Sequence, residues 1–326
     1  MGERDILKAI RARVRRSDTV LRVGIGDDAA VLQVRRGEEI VVTTDFSLED
    51  VHFRRAWHAP EAVGHKCLAR GLSDIAAMGA RPVAAFLSLA VPEELARNRR
   101  GGKSWLERFY NGLLALAGRW DAPLAGGDLA QSPGGRNARA AADIVVIGAV
   151  ERGRALLRSG AKAGDSLYVT GTLGGAAAEL RTLIRSPRKF RNVTVATSEH
   201  PHFFPEPRIN AGRALARRGV ATAAIDVSDG LSVDLLHLCE ESGLRAEVDA
   251  ALLPVASGAT LADALHGGDD YELLFTANPR TPVPQRIAGV PVRRIGRMLG
   301  RSGRPRMVVM EGGQRHELKA GGWQHF

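Results

Sequence analysis

Apolar positions recur at short, strand-like spacing over residues 20–23, 30–34 and 40–44, with Gly-rich or charged turns between them. Three short strands are predicted there, before any convincing helix. Ahead of them Ile6, Leu7, Ile10 and Val14 fall at helical spacing in a basic segment, the pattern of a helix packing one face on a domain. The period changes from about residue 61. Leu68, Leu72, Ile75 and Ala76 share one helical face, Pro60 lies near the first turn, and Gly79 with Pro82 closes the run. A strand is predicted over 83–91. Ser104 is positioned to cap a second helix carrying Leu106, Phe109, Leu113 and Leu116, and 144–150 reads as a buried strand.

The stretch 151–164 is rich in Gly, Arg and Lys and lies between two apolar strands, which puts a domain boundary near residue 151. The alternation then repeats, with a strand over 166–170, a helix over 174–184 and a Pro-containing loop over 186–207 that is open to motion. A helix ending at Arg218, a strand ending at Asp226, a helix over 231–241 and a strand over 271–276 follow. The expected class is α+β, with an N-terminal domain over 1–150 and a C-terminal domain over 151–326.

Charge changes the picture of what such domains bind. Lys and Arg number 46 against 36 Asp and Glu, a net +10, so polyanions are plausible partners, whether nucleic acid or a phosphorylated metabolite. Aromatic residues are only 5% of the chain, too few for a base-stacking platform, and the basic runs at 11–16, 97–100 and 301–306 are scattered. A nucleic-acid-binding protein therefore stands as the minor alternative. Cys67 and Cys239 lie far apart without a CxxC pattern, which argues against a disulfide framework or a thiolate zinc site and for a reducing compartment. The start lacks a signal-peptide apolar core, and the longest aliphatic stretches fall short of the ~18 residues of a membrane span. A cytoplasmic protein with no membrane association is expected.

Two near-matches to nucleotide motifs fail on context. Gly102-Lys103-Ser104 resembles the end of a P-loop, but Arg97 occupies the required earlier glycine position. Residues 24–29 fit a GxGxxA fingerprint, yet a strand rather than a helix is predicted to follow, and Asp27 and Asp28 would repel a pyrophosphate unless cations intervened. More informative is the recurrence of Asp beside Gly, Ser or Thr where apolar elements end: Asp27-Asp28, Thr43-Thr44-Asp45, Ser73-Asp74, Gly127-Asp128, Asp226-Val227-Ser228-Asp229 and Gly268-Asp269-Asp270. One such Asp is usually a turn or a cap; six together point to chemistry. Asp74 is the sharpest, a negative charge near a helix C-terminus, where it is disfavoured by ~0.3–1 kcal/mol. Carboxylates, waters and phosphate oxygens are what Mg²⁺ prefers, and several ions could hold such residues around a triphosphate.

Arg158 and Lys162 could supply the basic side of that site, although a surface turn explains them equally well. His52, flanked by Val51 and Phe53, reads as a semi-buried structural histidine, and His200 and His202 are not taken as ligands. With no Ser-His-Asp or Cys-His arrangement evident, no nucleophile or general base is assigned, which suits phosphoryl transfer to an acceptor that is already anionic.

The ordered segments 24–32, 43–53, 71–82, 126–128, 158–171, 225–235 and 267–276 resemble those of the thiamine-monophosphate kinases, members of the aminoimidazole ribonucleotide synthetase-like ATP-binding superfamily. The resemblance implies an N-terminal sheet that pairs with a partner subunit's sheet across a homodimer, and a second domain that closes the active site. It implies direct, in-line transfer of the ATP γ-phosphoryl to thiamine monophosphate, giving thiamine diphosphate. It places Mg²⁺ on Asp28, Thr43, Thr44, Asp45, Asp74, Asp128, Asp226 and Asp229, with Asp27 a further member. It places ATP at Tyr110, Gly127, Asp128, Arg158 and Ser228, and thiamine monophosphate at His52, Asp269 and Trp323. Asp50, Gly71, Gln131 and Asp269 depart from the residues usual at their positions. A different ATP-dependent synthetase of the superfamily is the second enzymatic reading; the absence of a reactive N-terminal Cys weakens its selenide-utilising form.

Overall fold

The structure is a computed structural model that describes residues 10–14, 20–25, 29–190, 192–304 and 306–324. Asp27 and Asp28 lie outside the described residues, as does most of the predicted first helix. The chain forms two compact units. One holds Met1–Ile75, Arg81–Glu151 and Leu183–Phe204; the other holds Ala76–Ala80, Arg152–Thr182 and Pro205–Phe326. No described helix is long and apolar enough to cross a membrane.

In the first unit β1 (Leu21–Val23) pairs antiparallel with β2 (Val31–Leu32). The strands β3 (Glu38–Leu48), β4 (Arg81–Val91), β5 (Leu124–Gln131) and β6 (Ala141–Glu151) form a sheet in the order β3–β6–β4–β5. Only β4 and β5 are parallel, and helix α2 (Trp105–Arg119) lies between them in sequence, the crossover that parallel neighbours require. Helix α1 (Pro60–Ala77) links β3 to β4 and packs on β6, where a Cβ on Gly71 would come within 2.6 Å of Val146. Its predicted inner residues Leu68, Leu72 and Ile75 are fully buried, each worth about 1.5–3 kcal/mol of apolar transfer. Ser104 caps α2 in a complete capping box: its hydroxyl accepts from the Glu107 amide (3.1 Å) and its amide donates to the Glu107 carboxylate (2.6 Å).

The 186–207 stretch is a loop, as expected, and is anchored by buried aromatic rings. It contains a 3-10 turn at Pro187–Phe190, and Phe190, Phe203 and Phe204 are buried, with Phe190 stacked on Phe203 at 5.4 Å and His65 meeting the Phe204 ring edge-on at 5.1 Å. Proline content hid the apolar anchors between the prolines.

The second unit is built on a mixed sheet. Its strands are β7 (Ser166–Thr170), β8 (Ala223–Val227), β9 (Arg245–Asp249), β10 (Glu272–Ala277), β11 (Val290–Leu299), β12 (Met307–Glu311) and β13 (Gln314–Glu317), in the order β8–β10–β7–β11–β9–β12–β13. Helices α3 (Gly175–Arg185), α4 (Ile209–Arg218), α5 (Leu231–Glu241) and α6 (Leu261–His266) complete it. Leu167, Val169, Ile225, Leu235, Leu238, Leu274 and Ile295 belong to one buried cluster, and every residue of β8 is buried. Strand β10 starts one residue later than predicted because Tyr271 has a φ of 50°, outside the β region. Glu272 is buried under a two-pronged contact from Arg208 (2.8 and 2.5 Å) and a hydroxyl bond from Thr170 (2.6 Å).

A candidate phosphoryl-transfer site

In the first unit the alternation of β3 divides its chemistry between two faces. Thr43 donates its hydroxyl to the Asp74 carboxylate, Arg70 donates to Asp45 at 3.1 Å, and Ser47 hydrogen-bonds the Cys67 thiol. These three rungs join positions 43, 45 and 47 of the strand to 74, 70 and 67 of α1. Two strand residues rise about 6.8 Å, and the helix steps of four and three residues about 6 and 4.5 Å, so antiparallel elements keep approximate step across the ladder. Burial pushes the Cys67 thiol up to about 12, which keeps it neutral and inert. Asp74 is half-buried in the last turn of α1, which carries no basic residue, and the Thr43 hydroxyl partly offsets its conflict with the helix dipole.

Thr44 points the other way and donates to Asp143 of β6 at 2.7 Å. Asp143 stands directly opposite Phe46 and Ser88, and Ser88 is in register with Asp128 on β5, so one row across the sheet reads Phe46, Asp143, Ser88, Asp128. Thr43, Asp45 and Asp74 are thus brought together on the α1 side, while Thr44 is paired with Asp143. Gly127 has a φ of 143°, and a Cβ there would lie 1.9 Å from the Leu87 carbonyl oxygen, so only glycine lets β5 approach β4 beside Asp128. Tyr110 is buried on α2 with its ring edge-on to Phe109, and desolvation raises its phenol well above the ordinary value.

His52 sits in a tight turn after β3, half-buried, where its Nδ1 accepts the Leu48 amide at 2.9 Å. A neutral His52 ring therefore carries its proton on Nε2. The ring lines a small, mainly apolar depression with Ser47, Phe53, His58, Lys66 and Arg70, so the cationic groups of Lys66 and Arg70 belong to its surroundings. Asp50 in the same turn has a φ of 71°, a left-handed conformation that suits glycine better than a residue with a side chain.

The second unit gathers its expected residues more tightly. Asp226 is buried on β8, and Ser228 and Asp229 follow where the strand ends and α5 begins. The Asp269 amide donates to the Ser228 carbonyl at 2.8 Å, and the Trp323 amide donates to the Asp229 carbonyl at 3.0 Å. Backbone hydrogen bonds therefore tie Asp269 and Trp323 to the same turn, and the Trp323 ring remains 50% exposed. Gly322 makes this approach possible, because a Cβ there would lie 2.0 Å from the Asp229 oxygen. Asp269 and Tyr271 both hold positive φ, 69° and 50°, and the Tyr271 hydroxyl donates to Asp269 at 2.8 Å. Two left-handed residues within three positions are backbone strain that the surrounding contacts hold in place.

Arg158 is not part of that cluster. Its neighbour Leu157 accepts from Ala224 near the start of β8, and four strand residues separate that point from Ser228, about 13 Å at ~3.3 Å each. Sequence reasoning missed Asp143, Arg70 and Asp234. Asp143 was detectable as a polar residue at the alternating outward position of an apolar strand, and Asp234 as a third acidic residue inside 225–235. Asp234 lies buried beside Asp226 and Asp229, and both burial and those charges hold its carboxyl well above the usual range.

The donor set suits a hard divalent cation. Among the described residues no three metal-ligating acids, histidines or cysteines gather into a ready cage. What is present are hard oxygens singly or in pairs, Asp74 with Thr43 and Asp226 near Asp229. Mg²⁺ keeps waters and phosphate oxygens in its shell and needs only one or two protein carboxylates, so these residues fit it better than they would fit zinc.

Comparison with known proteins agrees with this chemistry. Residues 26–150 match the N-terminal domain, and 162–283 the C-terminal domain, of the AIR synthase related proteins. The thiamine-monophosphate kinase of Salmonella typhimurium is 38% identical over 91% of this chain and 90% of its own. Among solved structures, the thiamine-monophosphate kinase from Stenotrophomonas maltophilia superposes with a TM-score of 0.76 at 38% identity, over 95% of this chain and 96% of that one. AaThiL complexed with AMPPCP and TMP superposes with a TM-score of 0.73 at 29% identity, over 100% of this chain and 97% of that one. With two domain models in order and close kinship over nearly its whole length, the chain belongs to the thiamine-monophosphate kinase family of AIR synthase related proteins.

Proposed function

We propose that this chain is a kinase that moves the γ-phosphoryl of ATP directly onto the phosphate of thiamine monophosphate, forming thiamine diphosphate and ADP. The observation that carries the reading is the convergence of Asp226, Ser228 and Asp229 with Asp269 and Trp323 on one turn of the second unit. These are the metal, nucleotide and substrate positions that the family resemblance implies. The kinship with thiamine-monophosphate kinases and with AaThiL complexed with AMPPCP and TMP supports the same assignment.

In this reading 1–150 is the nucleotide and metal domain, and 151–326 supplies the second set of contacts. Asp28, Thr43, Thr44, Asp45, Asp74, Asp128, Asp226 and Asp229 hold Mg²⁺ directly or through water. When bound, Mg²⁺ neutralises phosphate charge, the main requirement of a transfer between two anions. Tyr110, Gly127, Asp128, Arg158 and Ser228 attend the nucleotide, while His52, Asp269 and Trp323 attend thiamine monophosphate. Arg70 and Thr43 orient Asp45 and Asp74.

A homodimer is part of the proposal. Ile40, Val42 and Phe46 form an outward row on the edge strand β3, exposed by 57%, 60% and 60%, and a second copy of the sheet would cover them. The cytoplasm is the proposed location, in keeping with two buried free thiols.

The test is product analysis. Purified protein mixed with Mg·ATP and thiamine monophosphate should accumulate thiamine diphosphate one-for-one with ADP. ADP release without a phosphorylated thiamine product would defeat the assignment, and light scattering giving a monomer mass at micromolar concentration would defeat the dimer.

A further inference from the structure

Asp234, in the first turn of α5, is 2% exposed and carries no role in the reaction described above. Its Oδ2 accepts three successive amides, those of Ser228 at 3.1 Å, Asp229 at 3.2 Å and Gly230 at 3.1 Å. Three consecutive N–H groups converging on one oxygen form a nest, which fixes the backbone angles of the residues that build it. Here the nest is filled from within the chain. The carbonyls of the same turn are committed too, Ser228 to the Asp269 amide and Asp229 to the Trp323 amide. Each backbone N–H and C=O of Ser228 and Asp229 is thus hydrogen-bonded inside the unit, so the frame that carries their side chains is fixed.

Placing a third carboxylate beside Asp226 and Asp229 is electrostatically unfavourable. Three amide bonds to the same oxygen offset that cost and tie the Asp234 acceptor to the frame of the turn. We infer that Asp234 is a positioning residue for nucleotide binding, holding the Ser228–Asp229 peptide frame so that both side chains face the ligand. This rests on the reading that Ser228 and Asp229 contact the nucleotide and its metal.

The experiment compares wild type with Asp234→Ala, Asp234→Asn, Asp229→Asn and the Asp229→Asn/Asp234→Ala double variant, by calorimetric binding of Mg·AMPPCP and by steady-state kinetics. Asp234→Ala should weaken AMPPCP binding and raise the KM for ATP by about tenfold, equivalent to 1.4 kcal/mol. It should raise the KM for thiamine monophosphate less than the KM for ATP, because Asp269 and Trp323 keep their own hydrogen bonds to the turn. Asp234→Asn, which keeps an acceptor in place, should stay within about threefold of wild type, and the double variant should bind no more than about twofold worse than Asp229→Asn alone.

Should Asp234→Ala fail to fold, Asp234→Glu, which moves the acceptor by one methylene, gives the same contrast with Asn. Wild-type protein that binds no AMPPCP would defeat the functional reading itself. Wild type that binds it, with Asp234→Ala binding equally well, would overturn this inference alone. Additive effects in the double variant, or an Asn variant as weak as the Ala variant, would overturn it as well.

Discussion

The Thr43 hydroxyl donates to the Asp74 carboxylate, joining the middle of β3 to the last turn of α1. A hydrogen bond to a charged group contributes about 1.5–3 kcal/mol, enough to hold one carboxylate orientation against the alternatives. Thr43→Val keeps the shape and removes the donor. It should raise the Mg²⁺ concentration for half-maximal turnover by about tenfold, while Thr43→Ser stays near wild type. Magnesium titrations of turnover check this; an unchanged requirement in Thr43→Val would remove Thr43 from the site.

The turn at Asp50 stores removable strain. Its φ of 71° suits glycine, and its ion pair with Arg139 is solvent-exposed, so that pair contributes little. Asp50→Gly should stabilise the fold by about 0.5–1 kcal/mol and Asp50→Ala should destabilise it, as read by thermal midpoints.

Glu272 presents the opposite case. It is 3% exposed and paired with Arg208 and Thr170, so Glu272→Ala strips the part-buried Arg208 guanidinium of its two-pronged partner. Denaturant unfolding should show a loss of about 3–5 kcal/mol, and a loss below about 1 kcal/mol would contradict the burial.

Asp270 sets a pH dependence. Desolvation raises its carboxyl to about 7 despite amide bonds from Gly174 and Ala176. Between the ordinary value near 3.8 and about 7 the folded chain binds this proton more tightly than the unfolded chain does. The contribution of Asp270 to stability is therefore greatest at acid pH and declines as pH rises through that window. Asp270→Asn should flatten this part of the stability profile, and an identical profile in the variant would rule the assignment out.

Gly322 controls Trp323. A Cβ at Gly322 would strike the Asp229 oxygen, so Gly322→Ala displaces the segment that carries the indole. The KM for thiamine monophosphate should rise at least about fivefold, with the KM for ATP nearly unchanged. Equal changes in both would indicate a wider rearrangement of the turn.

Much of this was legible before any coordinates. Leu68, Leu72 and Ile75 announce α1 through spacing, and Ser104 with Glu107 announces the start of α2, because both signals are local. The 186–207 stretch is legible as a loop from its prolines, but its anchoring is not, because Phe190 and Phe203 meet each other and Phe204 meets His65 only in the fold. Asp226, Ser228 and Asp229 could be found by motif, but their tie to Asp269 and Trp323 runs through backbone bonds that no residue identity reveals. Asp234 was hidden for a related reason: its role depends on three amides, and any sequence supplies those. Arg158 shows the converse, a residue read correctly as basic whose place along β8 only the fold decides.

Strand β3 obeys a parity rule. Odd positions 43, 45 and 47 answer to the helix beside them, and even positions 40, 42 and 46 answer to whatever lies outside. Thr44 breaks the division, because it shares the outward face with Val42 and Phe46 and bonds Asp143, so a change on that face touches the proposed metal site and self-association together. A single-residue insertion there would exchange the two roles at a stroke, so length in this strand should be guarded more strictly than identity.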